Sequence, residues 1–163
     1  MSNTIIVKSR GIEHTGEIAG IFAEILKPGD AISLEGELGA GKTVFVKGIV
    51  RSLGYHGHVT SPTFILAHEY KTETPIFHLD CFRLRNEKDF LSIGFDDYLS
   101  GNNILLVEWG NVISEYFDGW AWKVKFYFNQ EDDNSRTIEF IPCNIPIDNE
   151  EIVRMRQAMI NLK

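Results

Sequence analysis

The chain has 163 residues, enough for one domain with a core of ordinary size. Hydrophobic residues make up 44% and charged residues 24%, which excludes a disordered chain, and the net charge of −7 argues against a broad surface that grips nucleic acid phosphates. Two cysteines, Cys81 and Cys143, are too few for a disulfide framework or a zinc site, so both are read as reduced and structural. Met1 to Thr4 shows no charged region leading into an apolar one, and no run approaches 18 apolar residues. The expectation is therefore no signal peptide, no membrane span and a cytoplasmic protein.

Taken in order, Thr4 to Lys8 predicts a short strand. Ile18, Ile21, Phe22, Ile25 and Leu26 recur at helical spacing, and Lys27-Pro28-Gly29-Asp30 stops that helix. Ala31 to Glu35 predicts a strand. Val46, Ile49, Val50 and Leu53 predict a second helix, with Gly54 following as its cap. A polar, Gly- and Pro-containing connection runs from Gly54 to Thr63. Phe64 to Tyr70 alternates as a strand and pairs as a hairpin with Pro75 to Leu79. One or two short helices are expected between Arg83 and Gly101. Ile104 to Val107 is continuously apolar, the pattern of a strand buried on both faces. Asn111 to Asp118 is a short helix or loop. Trp122 to Phe128 and Arg136 to Ile141 form a second hairpin. Asp148 with Glu151 resembles a capping box for a last helix at about 149–161, with Ile152, Met155 and Met159 on one face. The whole, 1–163, reads as one α/β domain: a mainly parallel sheet with added antiparallel strands and helices packed on it.

One stretch carries the chemistry. Gly36-Glu37-Leu38-Gly39-Ala40-Gly41-Lys42-Thr43 fits G-x-x-x-x-G-K-[ST] between a strand and a helix, the context a phosphate-binding loop needs. Its glycines let consecutive N–H groups converge on phosphate oxygens, and the helix start adds unpaired N–H groups and a favourable dipole. Lys42 would bridge the β- and γ-phosphates of ATP, and the Thr43 hydroxyl would ligate Mg²⁺. Residues 37–43 form the nucleotide-binding set. Such a site also needs carboxylates, and two later apolar strands end in one: Ile76 to Leu79 at Asp80, and Ile104 to Val107 at Glu108. In an open α/β sheet ligands bind at the carboxyl ends of strands. Lys42, Thr43, Asp80 and Glu108 are thus expected around one phosphate–metal centre, with Lys42, Asp80 and Glu108 catalytic and Thr43, Asp80 and Glu108 on the metal. Which carboxylate touches Mg²⁺ directly is left open by the spacing.

At this point the chain resembles a known family, the TsaE (YjeE) ATPases of bacterial tRNA modification. The resemblance rests on Gly36 to Thr43, Ser61-Pro62-Thr63-Phe64, His78-Leu79-Asp80-Cys81-Phe82-Arg83 and Val107-Glu108-Trp109, and spans roughly Thr15 to Ile141. The family usually has Tyr where this chain has Phe82. The resemblance implies a P-loop ATPase fold, an ATPase slow in isolation, and partnership with the TsaB and TsaD proteins. Together these install N6-threonylcarbamoyladenosine on tRNA, TsaD carrying out the transfer and tRNA being reached through the partners. It also implies that Ser61-Pro62-Thr63 is a switch segment sensing the γ-phosphate.

Other residues have plainer readings. Trp109 lies either over the nucleotide or a partner surface, or buried against the last helix. Arg83 touches phosphate or a partner, or forms a surface ion pair, the favoured reading. His78 reads as a satisfied core histidine, His56 and His58 as loop residues, Lys123 and Lys125 as a solvated strand face. Thr15 matches a family Thr near the nucleotide, though helix capping explains it as well. The competing function is a small-molecule phosphotransferase using the same loop. It would need an arginine-rich lid, and the segment from Arg83 to Gly101 holds only Arg83 and Arg85 amid more acidic residues. A third reading is a nucleotide-dependent binding module; the absence of Asn-Lys-x-Asp lowers a GTP switch.

Overall fold

The structure is a computed structural model that describes residues 4–62, 67–99, 101–146 and 149–162. Thr63 of the predicted switch segment, Phe64 to Leu66 of the predicted strand, and Asp148 of the predicted cap lie outside the described residues. Seven strands form one sheet: β1 (Ile5–Ser9), β2 (Ala31–Gly36), β3 (Ala67–Tyr70), β4 (Ile76–Asp80), β5 (Ile104–Glu108), β6 (Trp122–Phe128) and β7 (Arg136–Pro142), in the order β1-β7-β6-β2-β5-β4-β3. The pairs β6–β2, β2–β5 and β5–β4 are parallel, while β7 and β3 run against their neighbours. Five strands thus share one direction, and the fold is the mainly parallel α/β sheet expected, with both hairpins contributing the antiparallel members.

Among the described residues four α-helices join it: α1 (Ile12–Ala23), α2 (Lys42–Ser52), the short α3 (Glu87–Ser92) and α4 (Glu150–Asn161). Helix α1 starts earlier than its apolar stripe suggests and stops at Ala23. Ile25 and Leu26 fall in a tightened turn, their N–H groups donating to Phe22 and Ala23 three residues back. Thr15 therefore lies inside α1 rather than at its cap. It is buried, and its hydroxyl meets Ser9 Oγ at 2.6 Å.

Phe22 of α1, and Phe45, Val46 and Ile49 of α2, pack on Ile32, Leu34, Trp122, Val124 and Phe140 of the sheet. Phe22 meets the Trp122 ring edge-on at 5.3 Å, and truncating such a buried ring costs about 3–5 kcal/mol. Helices α1 and α2 approach so closely that a Cβ on Gly48 would lie 2.7 Å from the Gly16 carbonyl oxygen. Ile152, Met155 and Met159 of α4 cover the same face, as predicted. The cap of α4 is Asn149, whose side chain accepts from the Glu151 and Ile152 N–H groups, so the capping position falls one residue after Asp148. The opposite face of the sheet packs Leu79, Leu105 and Val107 against Phe95, Ile113 and Trp120. Phe95 belongs to one 3₁₀ turn (Phe95–Leu99) and Ile113 to another (Gly110–Ile113).

Candidate nucleotide site

Strand β2 is buried along Ala31 to Leu34 and delivers the glycine loop to the edge of the sheet where β4, β5 and β6 also end. Gly36 sits so tightly on β6 that a Cβ would lie 2.7 Å from the Phe126 carbonyl oxygen. That contact fixes where the loop departs. Gly41, in the left-handed region at φ 107°, is the residue before α2, and the first N–H groups of α2 have no acceptor inside the helix. Ala40 is fully buried and anchors the loop in the core, so it offers backbone only; Leu38 is 77% exposed at the loop tip.

Lys42 is buried beneath the loop. Its ammonium donates to the carbonyl oxygens of Gly36 at 2.5 Å and Glu37 at 2.9 Å, and lies 4.2 Å from the centre of the Trp109 ring. Burial pushes the Lys42 pKa below its ordinary value, while Glu108 and Asp80 pull it back. The cation is thus under-compensated, a state that an incoming anion relieves.

The two strand-end carboxylates line the same cleft as this cation. Asp80 and Glu108 are register partners across β4 and β5. Glu108 Oε1 accepts from the Thr43 hydroxyl at 2.9 Å, joining the start of α2 to the end of β5 across 65 residues. Asp80 accepts from the Ser61 hydroxyl and from the Phe82 N–H, both at 2.9 Å. Ser61 and Pro62 are the described part of the predicted switch segment, and Ser61 ties it to one of the two carboxylates. These side chains line a cleft of about 310 Å³, closed by Leu38, Phe82 and Trp109.

Trp109 lines the cleft. Its ring packs on Phe82 at 4.9 Å and over Lys42, not on the last helix. It holds that place with a left-handed backbone, φ 60° and ψ 36°, uncommon for so bulky a residue, and its N–H donates to Leu34 O at 2.8 Å. Arg83 is exposed and does not line the cleft. His56 and His58 are exposed, and no group of three or more His, Cys, Asp or Glu suited to a metal occurs among the described residues. Glu37 contributes its carbonyl to Lys42 and does not line the cleft itself.

His78 is the satisfied core histidine expected: it is fully buried, its Nε2 lies 2.9 Å from Glu108 Oε1 and its Nδ1 3.2 Å from the Tyr70 hydroxyl. That one of those partners is Glu108 was not foreseen. A second hollow of about 480 Å³ also went unseen. It is lined by Arg10 to His14 at the start of α1 and by Asp133, Asn134 and Arg136. Because β1 runs parallel to β2, the start of α1 lies at the same sheet edge as the glycine loop. His14 Nδ1 accepts from the Arg10 N–H there, and its buried Nε2 has no hydrogen-bond partner. Only the pairing of β1, β7 and β6 brings these distant residues together, so no local pattern signals them.

Comparison with known proteins agrees with this geometry. The model of the family described as threonylcarbamoyl adenosine biosynthesis protein TsaE matches residues 9–138. The chain is 38% identical over 129 residues to the tRNA threonylcarbamoyladenosine biosynthesis protein TsaE of Bacillus subtilis (strain 168), covering 78% of this chain and 79% of that protein. With the protein of the same name from Rickettsia felis it shares 40% over 103 residues, 62% of this chain and 60% of the relative. The crystal structure of Bacillus subtilis YdiB matches 99% of both chains with a TM-score of 0.75 at 30% identity. The glycine loop, the paired strand-end carboxylates and these likenesses lead to one conclusion: the chain belongs to the TsaE family.

Proposed function

We propose that this protein binds and hydrolyses ATP as a subunit of the assembly that installs N6-threonylcarbamoyladenosine on tRNA, working with TsaD and TsaB. The observation that carries the ATPase reading is the junction of Thr43 with Glu108, beside Lys42 and Asp80, at the mouth of the glycine loop. The loop N–H groups and Lys42 bind the phosphates. Trp109 and Phe82 exclude water from one side of Lys42. Thr43 and Asp80 offer oxygen ligands, and Glu108 orients the attacking water and accepts its proton. When bound, Mg²⁺ supplies charge neutralisation for the phosphates. Binding in one assembly with TsaD and TsaB rests on membership of the family.

The donor set suits Mg²⁺ only with a nucleotide present. Thr43, Asp80 and Glu108 supply few oxygens by themselves, and Mg²⁺ characteristically completes its shell with waters and substrate phosphates. Calorimetry is therefore expected to show no specific Mg²⁺ binding to the protein alone and tight binding of ATP with Mg²⁺. EDTA should abolish turnover. Specific Mg²⁺ uptake without nucleotide would contradict this donor set.

Among the described residues no arginine lines the cleft. An arginine supplied in trans raises turnover by roughly 10³–10⁵-fold in related chemistries, so the isolated protein should be slow. The acidic chain makes a poor direct ligand for tRNA. Titration with the TsaB–TsaD pair should show tighter binding in ATP than without it, since Ser61 and Asp80 sit where nucleotide state is felt. Equal affinity in both states would remove the switch. Reconstitution with TsaB, TsaD and tRNA, scoring the modified nucleoside, tests the whole reading, and release of a phosphorylated small molecule instead would favour the phosphotransferase.

A further inference from the structure

We propose that His78 is a positioning residue: its Nε2 holds the Glu108 carboxylate in place against Thr43, and the Tyr70 hydroxyl holds the imidazole from its other side. This deepens the reading of Glu108 as the group acting on the phosphate side of the cleft, and rests on it.

The sheet register brings the three side chains together. Asp80 pairs with Glu108 and His78 with Leu106 across β4 and β5, while Tyr70 pairs with Ile76 across β3 and β4. With a period of two, Tyr70, Ile76, His78, Asp80, Leu106 and Glu108 all belong to one face. Below His78 that face is apolar, with Ile76 and Leu106 buried; above it lies the cleft. His78 stands at the boundary.

The hydrogen-bond directions then follow from chemistry. An ionised Glu108 only accepts, so at 2.9 Å the imidazole Nε2 must carry the proton. The Tyr70 hydroxyl lies 3.2 Å from Nδ1 on the other side of the ring and donates to the Thr60 carbonyl oxygen at 3.5 Å. Burial pushes the Tyr70 pKa up to about 12, so the hydroxyl stays protonated. Tyr70 is itself pinned, its ring packed against Tyr55 at 4.9 Å. The result is a continuous chain, Tyr70 to His78 to Glu108, that meets the Thr43 hydroxyl on the same carboxylate oxygen.

A filler of the core would not be built this way. A buried imidazole–carboxylate pair carries a desolvation cost that an apolar pair in the same volume avoids. The pair makes sense where the carboxylate must stay in one orientation, because partners behind an active-site ligand fix its rotamer and basicity.

The test uses the full chain. Nitrogen NMR of ¹⁵N-histidine-labelled protein, with His78 assigned by its loss in His78→Gln, reads the tautomer directly. The expected result is a proton on Nε2 in the wild type, with the Nδ1 resonance shifted in Tyr70→Phe, which removes its hydroxyl neighbour. In ATP turnover, His78→Leu should lower kcat by about 10–100-fold with ATP affinity retained. His78→Gln, which keeps an N–H donor, should recover much of that loss. Tyr70→Phe preserves the ring packing and so decides the matter even where His78→Leu fails to fold. A wild-type Nε2 without a proton would overturn the proposal, as would a folded His78→Leu or Tyr70→Phe variant with wild-type kcat. If the wild type binds no ATP, the functional reading fails, while the tautomer still decides whether His78 holds Glu108.

Discussion

Replacing Lys42 with alanine is expected to weaken ATP–Mg²⁺ binding by about 2–5 kcal/mol, some 30- to several thousand-fold, the usual cost of losing a charge-assisted phosphate contact in a desolvated site. The size of the effect follows from the setting of the ammonium. It is 4% exposed, covered by Trp109, and held on two loop carbonyls rather than on a carboxylate. Its charge is therefore uncompensated by any formal anion in direct contact, and burial already lowers its pKa. Phosphate oxygens supply what the loop carbonyls only approximate. Calorimetry on a variant with an unchanged melting profile is the measurement, and undiminished nucleotide affinity would end the assignment of this loop.

The second large effect concerns turnover. Within the reconstituted assembly, Glu108→Gln should cut ATP hydrolysis by about 10²–10⁴-fold, the range for loss of a general base. The amide is nearly the same size, so the loss comes from chemistry. Thr43 and His78 meet the same carboxylate oxygen, which the amide oxygen can replace, but an amide cannot accept the proton of water. Asp80→Asn should act differently, raising the Mg²⁺ requirement more than it lowers the limiting rate, because Asp80 is tied to Ser61 and the Phe82 N–H rather than to Thr43. Full activity in both variants would mean that the two carboxylates do not form the working site.

The parts of this site legible in the sequence are those encoded locally. A glycine loop between a strand and a helix announces itself, and an apolar strand that ends in a carboxylate points that carboxylate at the sheet edge. Asp80 and Glu108 were legible for that reason. The partners of His78 were not: Glu108 is on the neighbouring strand to one side and Tyr70 on the neighbouring strand to the other, and nothing near His78 in sequence reveals that Glu108 is one of them. Trp109 was ambiguous because its left-handed backbone, which turns the ring onto Lys42, is set by the turn into the next 3₁₀ segment. The hollow beside Arg10 and His14 required knowing that the last hairpin inserts between β1 and β2. The cap of α4 slipped by one residue because Asp148 and Asn149 are both good caps, and neighbouring residues of that kind are separated only by where the helix begins.

The place of β2 in the sheet bears on how the chain is born. Both its neighbours, β5 and β6, come from residues beyond 103, so for most of its synthesis the strand that carries the glycine loop has neither partner available. Helices α1 and α2 can form early, but the apolar face they share lacks Trp122, Val124 and Phe140 until the last hairpin has emerged. Such a topology concentrates its pairing in late, long-range contacts, which are slow to form and leave strand edges exposed meanwhile. The nascent protein thus carries its nucleotide loop on the element most dependent on the unfinished half. A chain truncated before β5 would hold every residue of the glycine loop and lack both strands that pair with β2.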